Sequence, residues 1–209
     1  MKKGGKQLIL PNTIFIAHYY IFKTLNTFNI FEYSFPMNPQ NSFAFILSNL
    51  ETNIVTFQSL LQVSSPEMVQ FKPVSDKWNL LEVVCHLYDE EREDFRPRIA
   101  HIIEQKEGEF TSINPPQWVT ERKYAERNFE EMKVKFFDER RLSILWLQNK
   151  IDADWNLVYQ HPTLGTLSAS MLLANWLAHD YLHMRQILGL RHAYLQQYSG
   201  EDLGYAGNW

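Results

Sequence analysis

The stretch Asn175-Trp176-Leu177-Ala178-His179-Asp180-Tyr181-Leu182-His183-Met184-Arg185-Gln186-Ile187 decides how this chain folds. At about 100° per residue, with His179 at zero, His183 falls near 40°, Leu172 and Leu190 near 20° and Trp176 near 60°. Two histidines thus share a stripe with apolar residues. The stretch is apolar nearly all round, which predicts a buried helix over about 167–188, with Gly189 closing its C-terminus.

Working outward, Phe43, Ile46, Leu47, Leu50, Ile54, Phe57, Leu60 and Leu61 recur at three and four, predicting a helix over 41–62. A second is predicted over 79–104: Asn79 caps it, Glu82 reaches back three residues, Trp78 staples onto Val83, and Pro97 bends it. A third, over 120–150, carries Tyr124, Phe129, Met132, Phe136, Phe137, Leu142, Leu145 and Trp146 opposite a solvated face of Glu, Lys and Arg. No strand-like alternation and no internal repeat is visible. The fold class is therefore an all-α four-helix bundle. Connections at roughly 62–77, 107–119 and 151–165 exceed those usual in bundles, so some should cross over its ends.

The 209 residues suit one domain, and 45% hydrophobic with 21% charged residues describes an ordinary globular chain. A net charge of −4 gives no general attraction to phosphate backbones or anionic lipid, so neither nucleic acid nor membrane is an expected partner. The single cysteine, Cys85, cannot form an internal disulfide, which fits a reducing, cytoplasmic location. Residues 1–36 hold four lysines and one glutamate, unlike the acidic remainder. Pro11, Asn12, His18 and Lys23 interrupt their apolar stretch, against both a signal peptide and a membrane span. The expected division is an N-terminal extension over 1–36, read as sequence upstream of a second start at Met37, the bundle over 37–190, and a tail over 191–209.

Histidines at i and i+4 on one helix face can hold a metal ion, but a pair is incomplete and at this spacing is more often structural. On the second helix His86 borders the apolar face, with Glu90 about 40° away at i+4. Facing helices could therefore close a three-histidine site from His86, His179 and His183. Of the run Asp89, Glu90, Glu91, Glu93 and Asp94, expected to be a solvated face, Glu90 alone turns toward His86, as a fourth ligand or a support for the ring. Asn175 and Gln186 lie near the histidine stripe as further supports, whereas Asp180, about 100° round the helix, orients a neighbouring group or caps another helix. Trp118 and Tyr181 are candidate pocket residues. Cys85 reads as a core residue, His101 and His192 as surface residues, and His161 as a loop residue that could at most approach a pocket.

Trp78-Asn79-Leu80-Leu81-Glu82-Val83-Val84-Cys85-His86-Leu87-Tyr88-Asp89-Glu90-Glu91, followed by His161-Pro162-Thr163-Leu164-Gly165-Thr166-Leu167 and the 175–187 stretch, resembles the DinB-like family over about Met37 to Leu190. The resemblance implies a four-helix bundle whose second helix gives one metal-binding histidine and whose fourth gives the pair, which here are His86, His179 and His183. It also implies a homodimer and a small-molecule substrate. Relatives include transferases and isomerases that use bacillithiol or mycothiol, and proteins described as metal-dependent hydrolases. Three imidazoles favour zinc or nickel, leaving the ion its charge and an open position at which a thiol or water is activated. The expected function is metal-dependent thiol transfer or hydrolysis, with a non-catalytic metal-binding stress protein as the alternative.

Overall fold

The computed structural model describes residues 39–63, 65–207 and 209, so the expectations for 1–36 lie outside the described residues. The first long helix, α1 (Pro39–Leu60), buries Phe43, Leu50 and Phe57, spaced at seven, along one stripe. A short α2 (Pro66–Gln70) starts at Ser65, whose hydroxyl accepts the Met68 N–H. Asn79 and Glu82 form the expected capping box at α3 (Leu80–Glu90): the Asn79 side chain accepts the Glu82 N–H and the Glu82 carboxylate accepts the Asn79 N–H, both at 2.9 Å.

The predicted second helix continues differently from expectation. A π-helical turn occupies Glu91–Phe95, and α4 (Arg96–Ile103) follows. Pro97 has no N–H to return to the preceding turn, and a widened turn directly before it accommodates that loss. The third helix also starts later than expected, because the chain first forms α5 (Pro115–Glu121) and a 3-10 turn at Tyr124–Glu126. Lys123 takes a left-handed conformation (φ 52°) between these pieces, and Asn128 then caps α6 (Phe129–Gln148).

Beside the helices, β1 (Val158–His161) and β2 (Gly165–Ser168) form a small antiparallel hairpin that the sequence did not reveal, with Tyr159 opposite Leu167 and His161 opposite Gly165. Four-residue strands are too short to show alternation, and the three residues between them are no tight turn pair. Gly165 supplies the turn's positive φ of 77°. The last helix, α7 (Ala169–Ser199), starts on a Ser168 cap but runs through Gly189 and ends at Gly200, φ 69°. Much of the expected tail is therefore helix. A glycine inside a helix costs about 1 kcal/mol, and tertiary contacts beyond it offset this. Arg191 donates to the Leu60 and Gln62 carbonyls at 2.9 and 3.1 Å, while Tyr194 bonds Ser65 at 3.1 Å and packs edge-on against Phe71.

The four long segments are α1, α3 with α4, α6, and α7. The α1 helix packs on α6 and α7, and the α3–α4 segment also packs on α6 and α7. Helices consecutive in sequence are thus diagonal at two of the three junctions, which is why 61–79 and 149–168 are long. At the centre, Arg140 of α6 is 1% exposed. It donates from Nε to Glu91 Oε1 and from Nη1 and Nη2 to the two Asp180 oxygens, all at 2.7 Å. Asn53 of α1 adds a bond to Asp180 at 2.8 Å, and the Trp176 indole adds one to Glu91 at 2.9 Å. All four long segments meet in this polar node. Among the described residues no helix is long and apolar enough to cross a membrane.

Candidate metal centre

Where α3 faces α7, three imidazoles converge. His86 Nε2 lies 3.3 Å from His179 Nε2, His183 Nε2 lies 3.0 Å from the same atom, and the candidate ligand atoms of all three lie within 4.8 Å of one another. His86 is 5% exposed and His183 9%, whereas His179 is half-buried. Trp78 walls the His86 ring at 4.8 Å between centroids, and Phe95, stacked on Trp176, walls His179 at 5.2 Å. The expected i, i+4 pair on α7 and the single histidine on α3 are therefore in one place.

The far sides of the rings fix their orientation. His183 Nδ1 meets Gln186 Oε1 at 2.8 Å, so Nδ1 carries the proton and Nε2 presents a lone pair to the cluster. His86 turns Nδ1 toward Glu90 Oε1 at 3.7 Å and likewise leaves Nε2 facing the other rings. In a tetrahedral zinc site with bonds of 2.0–2.1 Å, ligand nitrogens stand about 3.3–3.4 Å apart, close to the two short separations here. The donor set fits a divalent ion.

Glu90 is 4% exposed, and burial, with the charge and hydrogen bond of Asp94, holds its carboxyl well above the ordinary carboxylate range. The acidic run is not the solvated face expected from its composition. Asp89 accepts the Tyr124 hydroxyl at 2.6 Å and Glu91 belongs to the central node, both buried. Glu93 is bound by both Nη atoms of Arg122 at 2.6 and 2.7 Å, and Asp94 faces Arg98 Nε at 2.8 Å. Lost hydration is replaced here by arginine and tyrosine donors from other segments and by Arg98 on α4.

Other candidates lie elsewhere. The Asn175 amide donates to its own helix at Met171 and is exposed. Trp118 is buried in the core beneath the Arg122 guanidinium, and Tyr181 is 47% exposed with its hydroxyl donating to Asn49 on α1. Asp180 holds Arg140, the orienting role its place on the helix suggested. Cys85 is fully buried, and burial, aided by the charge of Asp89, pushes its thiol up to about 12. His101 is not the surface residue expected: its ring packs edge-on against Phe110 and Tyr159. Sequence reasoning missed Arg140, although its place between Phe136 and Ile144 on the apolar stripe of α6 was a signal.

The sequence profile of the DinB superfamily matches residues 49–187, well over half of the chain and both histidine-bearing segments. This chain belongs to the DinB superfamily. Among solved structures, YfiT from Bacillus subtilis, described as a probable metal-dependent hydrolase with an unusual four-helix bundle topology, is similar with a TM-score of 0.62. At 13% identity, covering 77% of this chain and 89% of that one, the similarity concerns the fold. No curated protein matches this DinB-superfamily chain.

Proposed function

We propose that His86, His179 and His183 bind one divalent ion, zinc or nickel, and that the site serves a metal-dependent enzyme acting on a small molecule by hydrolysis or thiol transfer. The observation that carries this reading is the convergence of three Nε2 atoms, with His183 Nδ1 committed to Gln186 and His86 Nδ1 turned to Glu90. When bound, a divalent ion on three neutral imidazoles supplies Lewis acidity that lowers the pKa of water or a thiol. The chain's own residues set the rest. Gln186 fixes the His183 tautomer, Trp78 and Phe95 exclude water from two sides, and the half-buried His179 marks the side on which a substrate enters. The description of the similar structure YfiT as a probable metal-dependent hydrolase supports the reading.

The alternative is a non-catalytic metal-binding protein with Glu90 as fourth ligand. Glu90 lies beside His86 Nδ1, behind the ring from Nε2, which favours an open position and hence the enzyme. A small-molecule substrate, a homodimer and the cytoplasm, suited to a lone buried thiol, go with this proposal. Elemental analysis of the native protein should give one zinc or nickel per chain and none in His179→Ala. Metal-loaded protein should then accelerate the reaction of bacillithiol or glutathione with monochlorobimane, or turn over a member of a hydrolase panel, with His86→Ala inactive. Equal metal in native and His179→Ala protein removes the site, and one metal without activity in any assay leaves the binding-protein reading ahead.

A further inference from the structure

Away from the histidines, a cavity of about 220 Å³ lies between the C-terminal half of the second long segment and the following connection. Its walls include Pro97, Arg98 and His101 on α4, and Glu109, Phe110 and Thr111 on the connection. Left-handed residues at Gln105 (φ 49°) and Gly108 (φ 90°) turn the chain so that 109–111 lies against α4. Phe110 is locked in place by stacking on Tyr159 of the hairpin at 4.1 Å.

The polar groups of this cavity are unevenly committed. Glu93 is neutralised by Arg122, and Arg92 pairs loosely with Asp89 at 3.7 Å while lying over the Tyr88 ring. Arg98 Nε lies 2.8 Å from the Asp94 carboxylate as an ion pair without hydrogen-bond geometry, and the guanidinium lies over Phe110 at 5.4 Å, its side chain only 11% exposed. Its two Nη groups make no hydrogen bond among the described residues, which leaves the end of the guanidinium fork for an incoming carboxylate. Glu109, on the connection, is exposed, and no ion pair reaches it among the described residues. One cation end and one anion thus line a single space, together with the apolar surface of Pro97 and Phe110. The volume equals about seven waters at roughly 30 Å³ each, the size of an amino acid with a short aliphatic side chain.

We propose that this cavity binds a small zwitterion of the α-amino-acid type, its carboxylate on Arg98 and its ammonium on Glu109. Neither end alone accounts for the site: a simple anion would meet the charge of Glu109 unpaired, and a simple cation would leave the Arg98 fork empty. The proposal does not depend on a metal at the histidines.

The test is calorimetric titration of the full chain with L-valine, beside 3-methylbutanoate, which lacks the ammonium, and isobutylamine, which lacks the carboxylate. L-valine should bind saturably, with each half-probe at least tenfold weaker. Arg98→Gln and Glu109→Gln should each weaken L-valine at least tenfold while keeping the native circular dichroism; Glu109, exposed and unpaired, guards against an effect of misfolding. His179→Ala should bind L-valine as the native protein does. Absence of saturable binding at tens of millimolar, 3-methylbutanoate or isobutylamine binding as well as L-valine, unchanged affinity in Glu109→Gln, or loss of binding in His179→Ala would each overturn the proposal.

Discussion

Side chains here are set by what stands behind them as much as by what they face. Gln186 and Glu90 occupy the Nδ1 sides of two rings, so the Nε2 atoms are left to meet; spacing gave a pair on one helix face with His86 as a candidate third ring, and the family resemblance made His86, His179 and His183 legible as a group. Spacing could not show that Asn175 bonds its own helix, or that Trp118 lies under Arg122, since both depend on rotamer and on a partner distant in sequence. His161 offers a residue-scale prediction. Its imidazole is held below the ordinary histidine value by burial and then by the charge of Arg98, with Glu109 opposing. A depressed histidine favours the folded state most when neutral. Its contribution is therefore present above the unfolded value near 6.5 and is lost as pH falls through the lower folded value. An NMR titration should find His161 protonating below 6.5, and Arg98→Gln should move it part of the way back up because the burial remains. An unmoved midpoint in that variant would contradict the assigned cause.

Elements were legible where local chemistry governs them and illegible where tertiary contacts override it. The Asn79–Glu82 capping box began its helix at the residue its sequence named. Gly189 is the opposite case: a plausible helix end in isolation, it is carried through by Arg191 and Tyr194, which bond residues far earlier in the chain. The hairpin at 158–168 and the π turn before Pro97 were hidden by their shortness. The contact of greatest consequence between elements is Arg140, whose guanidinium joins α6 to Glu91 and to Asp180 of α7. Removing one partner from a buried ion network leaves an uncompensated charge, which typically costs about 3–5 kcal/mol. Arg140→Ala should lose about that much in urea unfolding. Arg141→Ala, whose exposed side chain pairs among the described residues only with Asp138, should lose less than about 1 kcal/mol. Equal losses in the two would show that the node is not the element that holds the helices together.

At the scale of the molecule, four helices were readable from periodicity, but their diagonal order was not, because length alone says that a connection can cross the bundle and not which neighbour it reaches. That order brings α7 against both α1 and α4, and sets His86 of α3 against the pair on α7. An ion held there would join segments nearly a hundred residues apart in sequence, and binding to the folded state alone must stabilise the whole fold. At a free metal concentration a hundredfold above its dissociation constant the gain is about 2.7 kcal/mol. For a chain of this size each kcal/mol raises the melting temperature by roughly 2–4 °C, so zinc or nickel returned to chelator-treated protein should raise it by about 5–11 °C. His179→Ala removes the nitrogen common to both short separations and should abolish the rise, while Tyr181→Phe, on the other side of the same helix, should keep it. A rise of equal size in His179→Ala would place the ion elsewhere, and no rise in the native protein would leave the three rings as a hydrogen-bonded cluster without metal.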